Sequence, residues 1–128
     1  MNVVDSSGWL EYFAAGPNAD FFAGAVEATD ELLVPTVSIY EVFKRVCQQR
    51  GEGEALQAVA LMQQGSVVDL TIHLALEAAR TSMTLGLPMA DSIILATARG
   101  TDATLWTQDS DFATVDGVRY TARREEEE

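Results

Sequence analysis

The sequence predicts an α/β fold in which a central, mainly parallel sheet of four to five strands lies between layers of helices. Short apolar segments alternate with longer segments whose apolar residues recur at helical spacing. Such alternation is typical of parallel strands joined by crossover helices. The length of 128 residues suits a single domain. We predict that residues 1–122 form this domain and that the acidic tail, residues 123–128, is disordered.

Strands are predicted where short apolar runs end in polar or turn-forming residues. They are NVV (2–4), ELLVPT (31–36), SVVDL (66–70), ATLWT (103–107) and GVRYT (117–121). The helical segments are DSSGWLEYFAAG (5–16), PNADFFAGAVEA (17–28), VSIYEVFKRVCQQR (37–50), EGEALQAVALMQQG (52–65), TIHLALEAARTSMTLG (71–86) and LPMADSIILATARG (87–100). Ser6 or Ser7 is predicted to cap the first helix, Pro17 to start the second, and Pro88 to lie in the first turn of the last.

The charge balance excludes one large class of function. Eight Lys and Arg residues stand against 20 Asp and Glu residues, a net charge of −12, so a broad basic surface for nucleic acid is excluded. No apolar run approaches the roughly 20 residues of a membrane-spanning helix, and the N-terminus lacks a secretory signal. The single cysteine, Cys47, agrees with a reducing compartment and is predicted to pack in the core. We therefore predict a cytoplasmic protein with no membrane partner.

Several carboxylates interrupt apolar sequence. Asp5 follows the first strand and Asp109 follows ATLWT, and open parallel sheets build their sites at such carboxyl ends. Glu41 lies in an apolar helical segment, and Asp91 lies early in a mostly apolar helix. Taken singly, each has a simpler interpretation: Glu41 could pair with Arg45 four residues on, and Asp91 could cap its helix.

Gathered in one place, these acids would repel one another unless a cation binds among them. Carboxylates without His or Cys partners favour hard metals such as Mg²⁺ or Mn²⁺. The only histidine, His73, lies away from the acidic motifs, which disfavours zinc and a hydrolase triad; it is predicted to lie on a helix surface or at a cap. A glycine-rich phosphate loop is also missing. The residues therefore indicate a site for a hard divalent metal.

Four segments, VVDSSGWLEYF, VPTVSIYEVFKR, MADSIILATAR and LWTQDSDF, resemble in order and spacing the PIN-domain ribonucleases, and most closely the VapC-type toxins of toxin-antitoxin pairs. The resemblance spans Asn2 to Tyr120. It implies a PIN-like three-layer α/β/α fold and a Mg²⁺- or Mn²⁺-dependent endoribonuclease. The residues that match the site of the family are Asp5, Glu41, Asp91, Asp109, Asp111, Thr107 and Ser6.

The resemblance also implies roles and partners. Asp5, Asp91 and Asp109 would hold one or two metal ions, with Glu41 contacting metal through water. Thr107 would orient the site by hydrogen bonding. A VapB-like cognate antitoxin, an RNA substrate and a homodimer are implied as partners. The high negative charge predicts that RNA binding is narrow rather than general, through a local shape or an exposed loop of a structured RNA.

Other interpretations stay open on the sequence alone. A phosphoacceptor receiver domain also has an acidic pocket, but the only lysine, Lys44, lies in a mid-chain helix. A catalytically inactive PIN-like module that only binds a partner is the main alternative. The aromatic residues of the first two helices fit either a core or a partner groove. The arginines that could hold phosphate near the acids are Arg45, Arg80 and Arg99.

Overall fold

A computed structural model describes residues 1–124 of the chain, which form five strands and six helices. The strands are β1 (Asn2–Val4), β2 (Leu32–Pro35), β3 (Ser66–Val68), β4 (Thr104–Thr107) and β5 (Val118–Tyr120). The helices are α1 (Ser6–Phe13), α2 (Ala19–Glu27), α3 (Thr36–Arg50), α4 (Glu52–Met62), α5 (Ile72–Leu85) and α6 (Met89–Gly100). Short 3-10 turns cover Thr29–Glu31 and Ser110–Phe112. Of the tail predicted to be disordered, residues 123–128, the last four residues, Glu125–Glu128, lie outside the described residues. Within them, no helix is both long and apolar enough to cross a bilayer.

The five strands form one sheet in the order β3-β2-β1-β4-β5, and every pair is parallel. This confirms the predicted α/β class and makes the sheet fully parallel. The chain runs outward from β1 to β3 on one side and then crosses to β4 and β5 on the other. The direction of winding therefore reverses between β1 and β4, and open parallel sheets bind ligands at the carboxyl ends of the strands at such a point.

Helices cover both faces of the sheet, as the three-layer prediction requires. Successive strand residues point to opposite faces, and in β1 Val3 packs with Ile94 and Leu95 of α6, whereas Val4 packs with Trp9 and Phe22 of α1 and α2. The aromatic residues of the first two helices are mostly core. Trp9 and Phe22 are fully buried, and their neighbours Tyr12, Phe13 and Phe21 are partly buried against them.

Several details of the helix starts differ from the prediction. The cap of α1 is Asp5, whose carboxylate accepts from the Gly8 N–H at 2.9 Å, so the prediction of Ser6 or Ser7 was wrong. Both serines already lie inside the first turn, where a side chain cannot act as the cap. Helix α2 begins at Ala19 rather than at Pro17, and α6 begins at Met89, so Pro88 is its N-cap residue rather than part of its first turn. Asp91 is therefore the third residue of α6, and the alternative interpretation of Asp91 as a cap is wrong.

Candidate functional site

The predicted acids meet at the carboxyl ends of β1 and β4. One cleft there is lined by Asp5, Glu41, Asp91 and Asp109, together with Ser6, Ser7, Leu10, Tyr40, Lys44, Arg45 and Gln48. These residues come from the end of β1, from α1, α3 and α6, and from the segment that follows β4. The switch point of the sheet thus brings together side chains that are far apart in sequence.

Asp5 lines this cleft with a carboxylate that accepts three hydrogen bonds. Its side chain is buried, and Oδ1 accepts hydrogen bonds from the Gly8 N–H at 2.9 Å and the Ser7 hydroxyl at 2.8 Å. Oδ2 accepts from the Thr107 hydroxyl at 2.6 Å. Burial raises the pKa of Asp5, and these three hydrogen bonds oppose that shift because they stabilise the ionised form. The orientation of the carboxylate is therefore determined by its neighbours.

Thr107 connects the acids of β1 and β4. Its buried hydroxyl donates to Asp5 and accepts from the Asp109 N–H at 2.9 Å. The Asp109 carboxylate in turn accepts from the Asp111 N–H at 2.9 Å. A continuous chain of hydrogen bonds thus runs from Asp5 to Asp111, which sets the spacing of these acids.

Glu41 is oriented by a contact between two helices. The Ser6 hydroxyl of α1 donates to Glu41 Oε1 of α3 at 2.6 Å, which joins residues 35 positions apart. Within residues 1–124, no ion pair joins Glu41 to Arg45. The alternative in which Glu41 only pairs with Arg45 along its helix therefore has no contact to support it. Ser6 and Glu41 lie within the same cleft lining as Asp5 and Asp91.

Asp91 experiences the field of all the other acids. Its pKa is raised from 3.8 to about 7, first by burial and then, in decreasing order, by the charges of Asp109, Asp5, Glu41 and Asp111. One carboxylate oxygen each of Asp91, Asp109 and Asp111 lies within 4.8 Å of the others. We call these three residues the acidic trio. Asp111, which is exposed, belongs to the trio, whereas Asp5 and Glu41 lie beside it in the cleft.

The cations near the acids come from α3. Arg45 lines the cleft together with Lys44, whereas Arg80 pairs with Glu77 on α5 and Arg99 lines a separate groove. That second groove also holds the exposed His73, away from the acids as its sequence position suggested. In the part of the chain that the structure describes, neither ion pair involves an acid of the cleft. The carboxylates are thus gathered without a paired cation.

Five residues of the cleft were not identified from the sequence: Ser7, Leu10, Tyr40, Lys44 and Gln48. Ser7 hydrogen-bonds Asp5, and the signal was its position in the first turn after a strand-end acid. Tyr40 and Lys44 line the cleft from α3, and their spacing of four residues beside Glu41 places them on one helix face.

Comparison with solved structures finds this fold in toxins of toxin-antitoxin complexes. A toxin-antitoxin complex from Klebsiella pneumoniae contains a chain with a TM-score of 0.77 and 21% identity, covering 93% of this chain and 96% of that one. VapC20 of Mycobacterium tuberculosis, described as a toxin that cleaves the sarcin-ricin loop, has a TM-score of 0.75 and 15% identity over 91% and 95% of the two chains. DNA-bound VapBC from Salmonella typhimurium contains a chain with a TM-score of 0.73 and 12% identity over 95% and 97%.

At such low sequence identities, the similarity to these solved structures shows the fold alone. A comparison with curated proteins finds no match. The family model of the PIN domain, however, matches residues 3–118. This range contains every acid of the cleft and all of the described residues except a few at each terminus. The chain belongs to the PIN-domain family.

Proposed function

We propose that this protein is a Mg²⁺- or Mn²⁺-dependent endoribonuclease, the toxin of a toxin-antitoxin pair, which hydrolyses phosphodiester bonds in a structured RNA in the cytoplasm. The observation that carries the proposal is the convergence of Asp5, Glu41, Asp91 and Asp109 in one cleft with no paired cation among the described residues. The alternative of an inactive PIN-like module is less well supported, because none of these four acids is missing.

The donor set fits a hard divalent metal. The acidic trio offers three carboxylate oxygens within 4.8 Å of one another, and hard cations select oxygen ligands. We propose that Asp91 and Asp109 hold the ion, with Asp5 and Glu41 contributing from the same cleft. Asp111 completes the trio at its exposed side. The outer position of Asp111 is supported by its charge, which has the smallest effect of the four acids on the pKa of Asp91.

The protein's own residues would position the reaction. A bound divalent ion supplies positive charge that lowers the pKa of a bound water and offsets charge on the transition state. Thr107, Ser7 and the Gly8 N–H hold Asp5 in one orientation, and Ser6 holds Glu41. Lys44 and Arg45 lie where they could bind the phosphates of an RNA strand. This local charge would let a protein of net charge −12 hold a polyanion at one place only.

Mg²⁺ or Mn²⁺ at millimolar concentration is expected to raise the Tm by several degrees. A ligand that binds only the folded state stabilises it by about 2.7 kcal/mol at 100 times its Kd, and here it also relieves carboxylate repulsion. The measurement is thermal unfolding with metal and with EDTA. The matched control is Asp30→Asn, which removes an exposed charge just before β2, at the amino ends of the strands and away from the cleft. An unchanged Tm in the wild-type protein would count against the metal site.

The experiment that tests the activity is sequencing of RNA 5′ ends after induced expression of the wild-type protein and of Asp91→Asn. New 5′ ends at a few sites, present only with the wild-type protein, are expected. Metal binding without new ends would favour the inactive module. Cleavage of any single strand at similar rates would contradict the predicted narrow substrate range.

Two protein partners are part of the proposal. The solved complexes of similar fold contain antitoxins, and a groove between α1, α3 and α4 offers an apolar lining that includes Leu10, Phe13 and Leu61. We propose that a helix of a VapB-like antitoxin binds there. We propose that a homodimer forms through α5, where the side chains of Ile72 and Met83 are 83% and 79% exposed.

The homodimer is expected to sediment at twice the mass of the chain at micromolar concentration. Ile72→Glu with Met83→Glu should shift it to a monomer, because burying carboxylates in an apolar interface is costly. The control is Leu61→Glu, an exposed leucine in the proposed antitoxin groove, which should leave the dimer intact. A wild-type protein that sediments as a monomer throughout would remove the dimer from the proposal.

A further inference from the structure

An exposed aromatic ring lies on the wall of the acidic cleft. Tyr40 of α3 is 63% exposed and lines the same cleft as Asp5, Asp91 and Asp109. Among the exposed large apolar side chains of residues 1–124, it is the only aromatic one. Nothing in the core requires a ring at this position, because the residues of α3 that pack inward include Val42 and Val46.

Tyr40 lies next to the acids in both sequence and space. Tyr40 directly precedes Glu41, which the Ser6 hydroxyl ties to α1 at 2.6 Å. One turn further along α3, Lys44 Nζ lies 5.9 Å from the centre of the Tyr40 ring, and Arg45 lines the cleft beside it. The same face of α3 thus presents an aromatic ring and two cations next to the carboxylates.

This combination matches the chemistry of an unpaired nucleotide. Every nucleobase has a π face that stacks on an aromatic side chain, and every phosphate is attracted to Lys or Arg. Bases inside a duplex have their faces covered by their neighbours, so an exposed ring favours bases in loops, bulges or single strands. A partner protein would also bury an aromatic ring, but it would gain less from two cations beside a cluster of acids.

We propose that Tyr40 stacks one unpaired nucleobase of the RNA beside the cleavage site, while Lys44 and Arg45 hold the adjoining phosphates. The proposal rests on the nuclease function proposed above and specifies its substrate as a strand with an unstacked base at the cleft. Among the residues that the structure describes, Lys44 and Arg45 are the only cations that line the cleft. Stacking would therefore supply a large share of the affinity, about 5- to 150-fold by the usual range for one base.

A titration with two small probes tests the stacking directly. Adenosine 5′-monophosphate and ribose 5-phosphate carry the same phosphate, but only the first has a base. In the presence of Mg²⁺, the nucleotide should shift the ring proton signals of Tyr40 in NMR spectra, whereas ribose 5-phosphate should not. Tyr12, whose hydroxyl bonds Glu27 at 3.0 Å outside the cleft, serves as the internal reference. Tyr40 signals that stay unmoved, or that both probes move equally, would overturn the proposal.

Cleavage kinetics give the second arm, on the RNA identified by 5′-end sequencing. Tyr40→Leu keeps an apolar side chain without a ring and should raise KM about 10- to 100-fold with a much smaller change in kcat. Tyr40→Phe should restore KM to near the wild-type value. Leu56→Ala, a change at an exposed residue of α4 that lines neither the cleft nor the proposed antitoxin groove, is the control and should leave KM unchanged. Equal KM values for the Leu and Phe variants would refute a stacking role.

Failure of this proposal is distinguishable from failure of the nuclease function. Tyr40→Leu should retain the full Tm increase with Mg²⁺, because it removes no metal ligand. If the wild-type protein shows neither that increase nor cleavage, the nuclease function itself fails. If Tyr40→Leu cleaves RNA normally but binds an antitoxin helix more weakly, the ring belongs to a protein interface and the stacking proposal is wrong.

Discussion

Asp91→Asn is expected to abolish metal-dependent RNA cleavage and, without metal, to raise the Tm at pH 8. The amide keeps the shape of the side chain but is neutral, so it binds Mg²⁺ poorly and removes one charge from a cluster of repelling acids. The charges of Asp109, Asp5, Glu41 and Asp111 all raise the pKa of Asp91, and the variant removes their repulsion with its carboxylate. The measurement is the cleavage rate beside the Tm, with Mg²⁺ and with EDTA.

The stability gain of this variant should depend on pH in a defined direction. The pKa of Asp91 is raised from 3.8 to about 7 in the folded protein, so the fold binds this proton more tightly than the unfolded chain does. The stabilising contribution of the protonated group is complete below about pH 4 and is lost as the pH rises through 7. Asn cannot ionise, so its advantage over Asp should appear between these limits and be largest above pH 7. Protons also compete with metal, so Mg²⁺ affinity of the wild-type protein should fall below pH 7.

Two further variants show whether the effect belongs to the site. Asp111→Asn should reduce cleavage less than Asp91→Asn, because Asp111 is exposed and has the weakest effect on the pKa of Asp91. Asp30→Asn should change neither cleavage nor the pH dependence. An Asp91→Asn protein that cleaves RNA at the wild-type rate would contradict the assignment of Asp91 to the metal site, even though Asp91 matches a site residue of the family.

Gly8→Ala is expected to destabilise the protein by about 1–3 kcal/mol or more, the range for an overpacked core. A Cβ at position 8 would lie 2.6 Å from Phe22 Cε1 and 2.7 Å from Val4 Cγ1. Both neighbours are fully buried, so neither can move aside easily. The backbone N–H of Gly8 also donates to Asp5, and displacement of α1 should therefore weaken metal binding as well.

The matched control for this substitution is Gly24→Ala. Gly24 lies inside α2 and is exposed, and a Cβ there would meet nothing within 4 Å. Replacing a helical glycine by alanine should stabilise the protein by up to about 1 kcal/mol. Denaturant unfolding of both variants gives the two free energies. A Gly8→Ala protein as stable as the wild type would show that α1 does not pack as tightly as the structure has it.

The candidate site shows how far local patterns reach. That Asp5 and Asp109 follow strands was visible in the sequence, and parallel strands end at one edge, so their meeting was predictable. The cap of α1 was not, because Asp5, Ser6 and Ser7 are all good caps and only the exact first turn selects among them. The choice among Arg45, Arg80 and Arg99 also needed the structure, since each lies on a helix and only Arg45 reaches the cleft.

The sequence by itself determined the kinds of elements, their order and the family resemblance, because periodicity and motif spacing are properties of neighbouring residues. Only the tertiary structure decided that β1 lies between β2 and β4 and that the aromatic residues of α1 and α2 are mostly core. It also decided that Thr107 bonds Asp5 across 102 positions and that Ser6 bonds Glu41 across 35. Such contacts depend on which strands and helices become neighbours, and burial of the whole apolar surface selects that arrangement rather than any local pattern.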